Sequence, residues 1–84
     1  MIVDSELDLH RHTVDEALSK LDDYLYHSYV GGMTTVRINH GYGTGVLRRA
    51  VHRELKGNTL VKSFRPGGYG EGGEGVTIVE MAEN

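Results

Sequence analysis

The segment His40-Gly41-Tyr42-Gly43-Thr44-Gly45 joins a titratable imidazole to glycines at alternate positions. Glycine lets a backbone adopt positive φ and come close to a ligand. If a helix begins where the segment ends, its uncapped amides and its dipole form an anion-binding corner. No Gly-Lys-Ser/Thr follows, so this is not a Walker loop, and the segment itself fails the Gly-x-Gly-x-x-Gly fingerprint, which also needs a larger sheet. A nucleic-acid phosphate suits an open loop of this kind with Arg48 and Arg49 just beyond it. The plain alternative is a glycine turn that only lets a strand and a helix pack closely.

Asp8 and His10 form a second constellation. On a short strand over 7–10, Leu7 and Leu9 take one face and Asp8 and His10 the other, because side chains alternate with period two. If that strand lies parallel to the one ending at His40, both histidines emerge at C-terminal strand ends, where ligands gather in α/β sheets. A histidine near its ordinary pKa exchanges protons at neutral pH and suits acid–base work on a phosphodiester. Asp8 can orient a histidine or hold a divalent cation, Mg²⁺ or Mn²⁺, through its oxygens. Both roles stay open, as does a turn-capping Asp8 beside a surface His10. No cofactor is required by any residue. His10-x-His12 is a poor zinc site, since the chain has no cysteine and no His-x-x-x-His pair. His27 and His52 are expected on helix surfaces. Tyr42 and Tyr69 lie in glycine-rich stretches, where an exposed ring can stack on an unpaired base or simply anchor its loop.

These residues need elements to position them. Thr13-Val14-Asp15-Glu16 follows the capping-box pattern. Behind it Val14, Ala17, Leu18, Leu21, Leu25 and Tyr29 recur at helical spacing until Gly31-Gly32, so a helix is expected over 13–30. Thr34–Ile38 is β-branched and reads as a strand. A second helix follows Gly45, with Val46, Leu47, Ala50, Val51 and Leu55 inward and a cap at Gly57. Leu60–Phe64 and Val76–Met81 read as the last two strands. Between them, residues 66–75 hold six glycines, and a loop that does not pack is expected there. The order β-α-β-α-β-β implies right-handed crossovers and an α/β (α+β) two-layer sandwich. Both helices then cover one face of a small mixed sheet, and the other face is left open.

A chain of 84 residues holds one domain, too small for a doubly wound fold, a barrel or a two-domain cleft enzyme. No apolar run approaches a membrane span, and the lack of cysteine fits a cytoplasmic location. The net charge of −3 hides a strong asymmetry. Residues 37–65 carry seven Arg and Lys against Glu54, a balance of +6, while the rest of the chain stands at −9. Such a field draws a polyanion to one side of a soluble molecule. Four cations, Arg48, Arg49, Lys62 and Arg65, are expected to reach phosphate, which gives a duplex salt slope of about −3 to −4.

The same residues carry a family resemblance. Leu7-Asp8-Leu9-His10, the His40–Gly45 block followed by Leu47-Arg48, and Gly72-Gly73-Glu74-Gly75-Val76-Thr77-Ile78-Val79 resemble the Smr (small MutS-related) domain. Val61-Lys62-Ser63-Phe64-Arg65 fits the segment before the last block. The likeness spans residues 6–81 and is strongest to the version that closes type-two MutS proteins. It implies a fold similar to the C-terminal domain of translation initiation factor three. It also implies binding of DNA (branched DNA included), RNA or the ribosome, weak sequence-independent nicking, and a role in DNA recombination, repair or ribosome rescue. Asp8, His10 and His40 take the catalytic places, with His40 as general acid or base. Gly41, Tyr42, Gly43, Thr44, Gly45, Arg48, Arg49, Lys62, Arg65 and Tyr69 take the binding ones. Where the family has a glycine after the first block and a lysine within the second, this chain has Arg11 and Tyr42. Met1 stands so near the first motif that a longer parent chain is expected. A non-catalytic binding module and a protein-interaction domain remain the alternatives.

Overall fold

The computed structural model describes residues 5–83, so Met1 lies outside the described residues. Four strands and two helices follow in the order β1 (Glu6–Asp8), α1 (Val14–Val30), β2 (Thr35–Asn39), α2 (Val46–Gly57), β3 (Val61–Pro66) and β4 (Val76–Met81). A short 3₁₀ turn, Gly73–Gly75, leads into β4. The sheet order is β1-β2-β4-β3. β1 pairs parallel with β2, and β4 runs antiparallel to both β2 and β3. The mixed two-layer architecture is the expected one.

Local chemistry explains the elements. Thr13 caps α1 with both bonds of the capping box: Glu16 N–H donates to Thr13 Oγ1 (3.2 Å) and Thr13 N–H to Glu16 Oε1 (3.0 Å). Gly31 closes the helix by donating its N–H to the His27 carbonyl (2.9 Å). Along β2, Val36 and Ile38 point into the core while Thr35, Arg37 and Asn39 face away, as period two requires. Leu9, Leu21, Leu25, Val36, Ile38, Val51, Leu55 and Val79 are at most 1% exposed and form the layer between helices and sheet. β4 is buried on both faces from Val76 to Val79, which befits a strand flanked by two others.

Two expectations are corrected. The first strand ends at Asp8, and His10 stands in the turn beyond it, so the two do not share a strand face. They meet because Asp8 Oδ1 accepts the His10 backbone N–H (3.1 Å) and bends the chain back. The stretch 66–75 does pack. Glu71 organises it, taking a two-pronged bond from Arg65 (2.7 and 2.8 Å) and the Gly68 N–H (2.8 Å), while its carbonyl accepts from Arg37 Nη2 (2.9 Å). The loop therefore folds over the helix-free face, where Val76 and Ile78 are 4% exposed.

The Arg65 hydrogen bonds and the Gly68 N–H hold the Glu71 carboxyl down at about 2. Its stabilisation of the loop is thus complete above the ordinary carboxylate pKa and is lost as pH falls toward 2. Glu71→Gln should speed amide hydrogen exchange across 67–75 at neutral pH while leaving the α1 and β2 amides protected. Acidification should then change exchange in this loop much less in the variant than in the parent. Unchanged exchange at Gly68 and Gly73 in the variant would show that Glu71 does not organise the loop.

Candidate functional site

The turn after β1 and the turn after β2 lie side by side at one sheet edge, since β1 and β2 are parallel neighbours with Asp8 opposite Asn39. A cleft of about 420 Å³ opens between them. His10, His12 and the start of α1 form one wall; His40, the glycine loop and the first turn of α2 through Arg48 form the other. Gly41 is where the walls touch. Its φ is +75°, and a Cβ there would stand 3.0 Å from the His10 Cβ. Glycine alone allows both the turn and the approach.

On the first wall, His10 Nδ1 and Asp8 Oδ1 share a short hydrogen bond. Arg11 Nε donates to His10 Nε2 (3.1 Å). An arginine only donates, so Nε2 must be the lone-pair nitrogen and Nδ1 must carry the proton given to Asp8. The side-chain bond from His10, backed by its backbone N–H, holds the Asp8 carboxyl below the usual range. The His10 side chain is 42% exposed and lines the cleft, and Arg11 is exposed as well.

The second wall is an uncapped helix start. Gly45 is the N-cap of α2 at φ +87°, with no side-chain cap and no acid in the first turn. The amides of Val46, Leu47 and Arg48 therefore have no intrahelical acceptor. The Arg49 guanidinium lies against Gly45, 3.1 Å from where a Cβ would stand, and Arg48 lines the cleft with Glu74 3.9 Å away. Tyr42 bridges the two glycine loops by donating its hydroxyl to the Gly72 carbonyl (3.2 Å), yet 70% of the residue stays exposed.

His40 is only 4% exposed. Its Nδ1 meets the Gly41 carbonyl (3.0 Å) and its Nε2 the Thr77 hydroxyl (2.8 Å), so both ring nitrogens are engaged below the loop. Burial holds its pKa below the ordinary histidine value, and Arg48 lowers it further. His52 is corrected from a surface residue to a half-buried one. Its Nε2 lies 2.8 Å from the same Thr77 hydroxyl, and its ring sits 5.1 Å from that of Phe64. Period two in β4 puts Thr77 on the core face with Val79 and Met81, and a polar residue at a core position was the signal available for this network.

The structure thus brings Asp8, His10, His40, Gly41 to Gly45, Arg48 and Arg49 together. It does not bring the other expected contacts to the cleft. Lys62 sits at the start of β3 beside the Val61–Met81 pair, at the opposite sheet edge. Arg65 stands on the helix-free face, paired with Glu71. Tyr69 is fully exposed at the tip of the 67–75 loop, away from the cleft lining. His12 was missed as a wall residue; its Nδ1 is buried with no hydrogen-bond partner. Among the described residues no three His, Asp or Glu side chains converge where an ion could sit. No helix of the described residues is long and apolar enough to cross a membrane.

A profile of the Smr domain matches residues 7–82. The chain belongs to the Smr family. It is 51% identical over 80 residues to a protein named endonuclease MutS2 from Pelotomaculum thermopropionicum, covering 95% of this chain and 10% of that one. It is also 51% identical over 81 residues to endonuclease MutS2 of Caldicellulosiruptor saccharolyticus, covering 96% and 10%. This Smr chain therefore spans about a tenth of the length of these curated relatives. The Smr domain of Thermus thermophilus MutS2 superposes with a TM-score of 0.91 at 42% identity, over 94% of this chain and 99% of that one. YdaL of Escherichia coli, a stand-alone small MutS-related protein, shares the fold at TM-score 0.89 and 24% identity, over 94% and 65% of the two chains.

Proposed function

We propose that the cleft binds a nucleic-acid backbone and nicks it, as the Smr module of a longer MutS-type protein acting in DNA recombination, repair or ribosome rescue. The carrying observation is His10, bonded to Asp8, on the wall of one cleft opposite an uncapped helix start. The amides at the start of α2, with Arg48 and Arg49, hold the phosphate. His10 Nε2 takes the proton of the attacking water as its oxygen bonds to phosphorus. The ester P–O bond breaks, and the leaving oxygen takes a proton from solvent. Asp8 keeps the His10 tautomer right and stabilises the imidazolium that forms, the division of labour in other aspartate–histidine pairs. His40, with both nitrogens occupied, holds the loop, so the acid–base role expected of it passes to His10. The endonuclease names of the MutS2 relatives support this reading.

Binding without cleavage is the second reading, favoured by the Arg11 guanidinium that occupies His10 Nε2. Supercoiled plasmid incubated with the chain, with and without Mg²⁺ or Mn²⁺, separates the two. Open-circle product that scales with protein supports nicking. Salt-sensitive binding with no product at any metal or protein concentration supports the binding module.

A further inference from the structure

The buried network under the glycine loop has a direction. A carbonyl only accepts, so His40 Nδ1 donates to the Gly41 oxygen. A neutral His40 then presents a lone pair at Nε2, to which the Thr77 hydroxyl must give its single proton. The Thr77 oxygen in turn accepts from His52 Nε2–H. Thr77 has no exposed surface, so water does not substitute for either partner. Burial disfavours the charged form of both rings, with Arg48 near each and Lys56 near His52 adding to the effect. A helix α2 histidine, acting through a β4 hydroxyl two elements away, thus completes the one arrangement compatible with the His40 proton on Nδ1.

That tautomer has a consequence for the loop. The peptide joining Gly41 to Tyr42 is planar and trans, so its C=O and N–H point in opposite directions. With the Gly41 oxygen held against the buried ring, the Tyr42 N–H is turned outward. We propose that Thr77 and His52 are positioning residues of the phosphate loop: they fix the proton on His40 Nδ1, pin the Gly41 carbonyl and aim the Tyr42 amide at the bound phosphate. This rests on the cleft being the backbone-binding site proposed above.

Long-range ¹H–¹⁵N spectra of the histidine rings at about pH 7.5, above the ordinary histidine range, test it directly. His40 should be protonated at Nδ1 and His52 at Nε2. In Thr77→Val the His40 ring should show mixed tautomers, the Tyr42 amide resonance should shift, and affinity for oligo-dT should fall about tenfold, the loss of one charge-assisted bond. Thr77→Ser, which keeps the hydroxyl, should restore all three. If the valine variant does not fold, His52→Gln should preserve the His40 tautomer, because its amide still donates, and His52→Leu should not. A parent His40 protonated at Nε2 overturns the proposal, as does a folded Thr77→Val with unchanged Tyr42 amide and affinity. Failure of the parent to bind oligo-dT would sink the nucleic-acid reading, while the ring spectra and the Tyr42 amide would still decide the relay.

Discussion

His10→Ala should lower plasmid nicking by about 10²–10⁴-fold, the usual worth of a positioned proton-transfer group. Binding of the same DNA should change little, because the phosphate is held by the opposite wall. Asp8→Asn should approach the same loss for a different reason. A carboxamide can offer its NH₂ to Nδ1, which favours the wrong His10 tautomer and puts the proton on Nε2, where the lone pair is needed. His40→Ala should act through the loop instead, raising the DNA concentration needed for half-maximal nicking more than it lowers the limiting rate. The contrast matters because His10 and His40 line one cleft and Asp8 bonds the first of them, and simple loss of fold would affect all three alike. Preparations of His10→Ala and Asp8→Asn that nick as fast as the parent would assign the activity to other residues or to a contaminant.

Much of the arrangement was legible in the residues. The capping box at Thr13 and Glu16 and the Gly31-Gly32 stop bound α1, because these signals act within one turn of chain. The glycine block falls at a strand–helix junction, and a parallel β1–β2 pair necessarily brings His10 and His40 to one edge. What escaped reading depends on contacts distant in sequence. Nothing local says that β4 inserts between β2 and β3, although Val76, Ile78 and Val79 on both of its faces are what a central strand needs. Glycine content alone suggested an unpacked loop at 66–75. The decisive residue is Glu71, whose carboxylate takes Arg65 and whose backbone carbonyl takes Arg37, on separate strands. His52 stands one residue off the inward stripe of α2, and only the arrival of Thr77 from β4 makes it part of the site. Lys62 and Arg65 looked like neighbours of Arg48 because charge was counted along the chain. In space, the sheet separates one and Glu71 neutralises the other.

This rearranged charge alters the expected salt response. Of four cations read from the sequence, Arg48 and Arg49 flank the helix start, Arg65 is engaged by Glu71, and Lys62 lies at the far edge. Neutralising Z phosphates gives a slope of about −0.9Z on duplex DNA, so two cleft cations with at most one outlying contact give about −2 to −3. That is shallower than the four-cation value of about −3 to −4. Reversing both charges, Arg48→Glu with Arg49→Glu, should flatten the slope by about two units and weaken every sequence alike, since phosphate contacts carry no base information. At low salt the loss should reach about 10²-fold or more, from two charge-assisted bonds of about 1.5–3 kcal/mol each. Lys20→Glu, on exposed α1 among Asp15, Glu16, Asp22 and Asp23, should change neither quantity appreciably, because that helix face already repels a polyanion. Fluorescence anisotropy of a labelled duplex titrated at several salt concentrations measures all three chains. If Lys20→Glu proved the more damaging change, the nucleic acid would lie along the helical layer, and the cleft between the two turns would not be its seat.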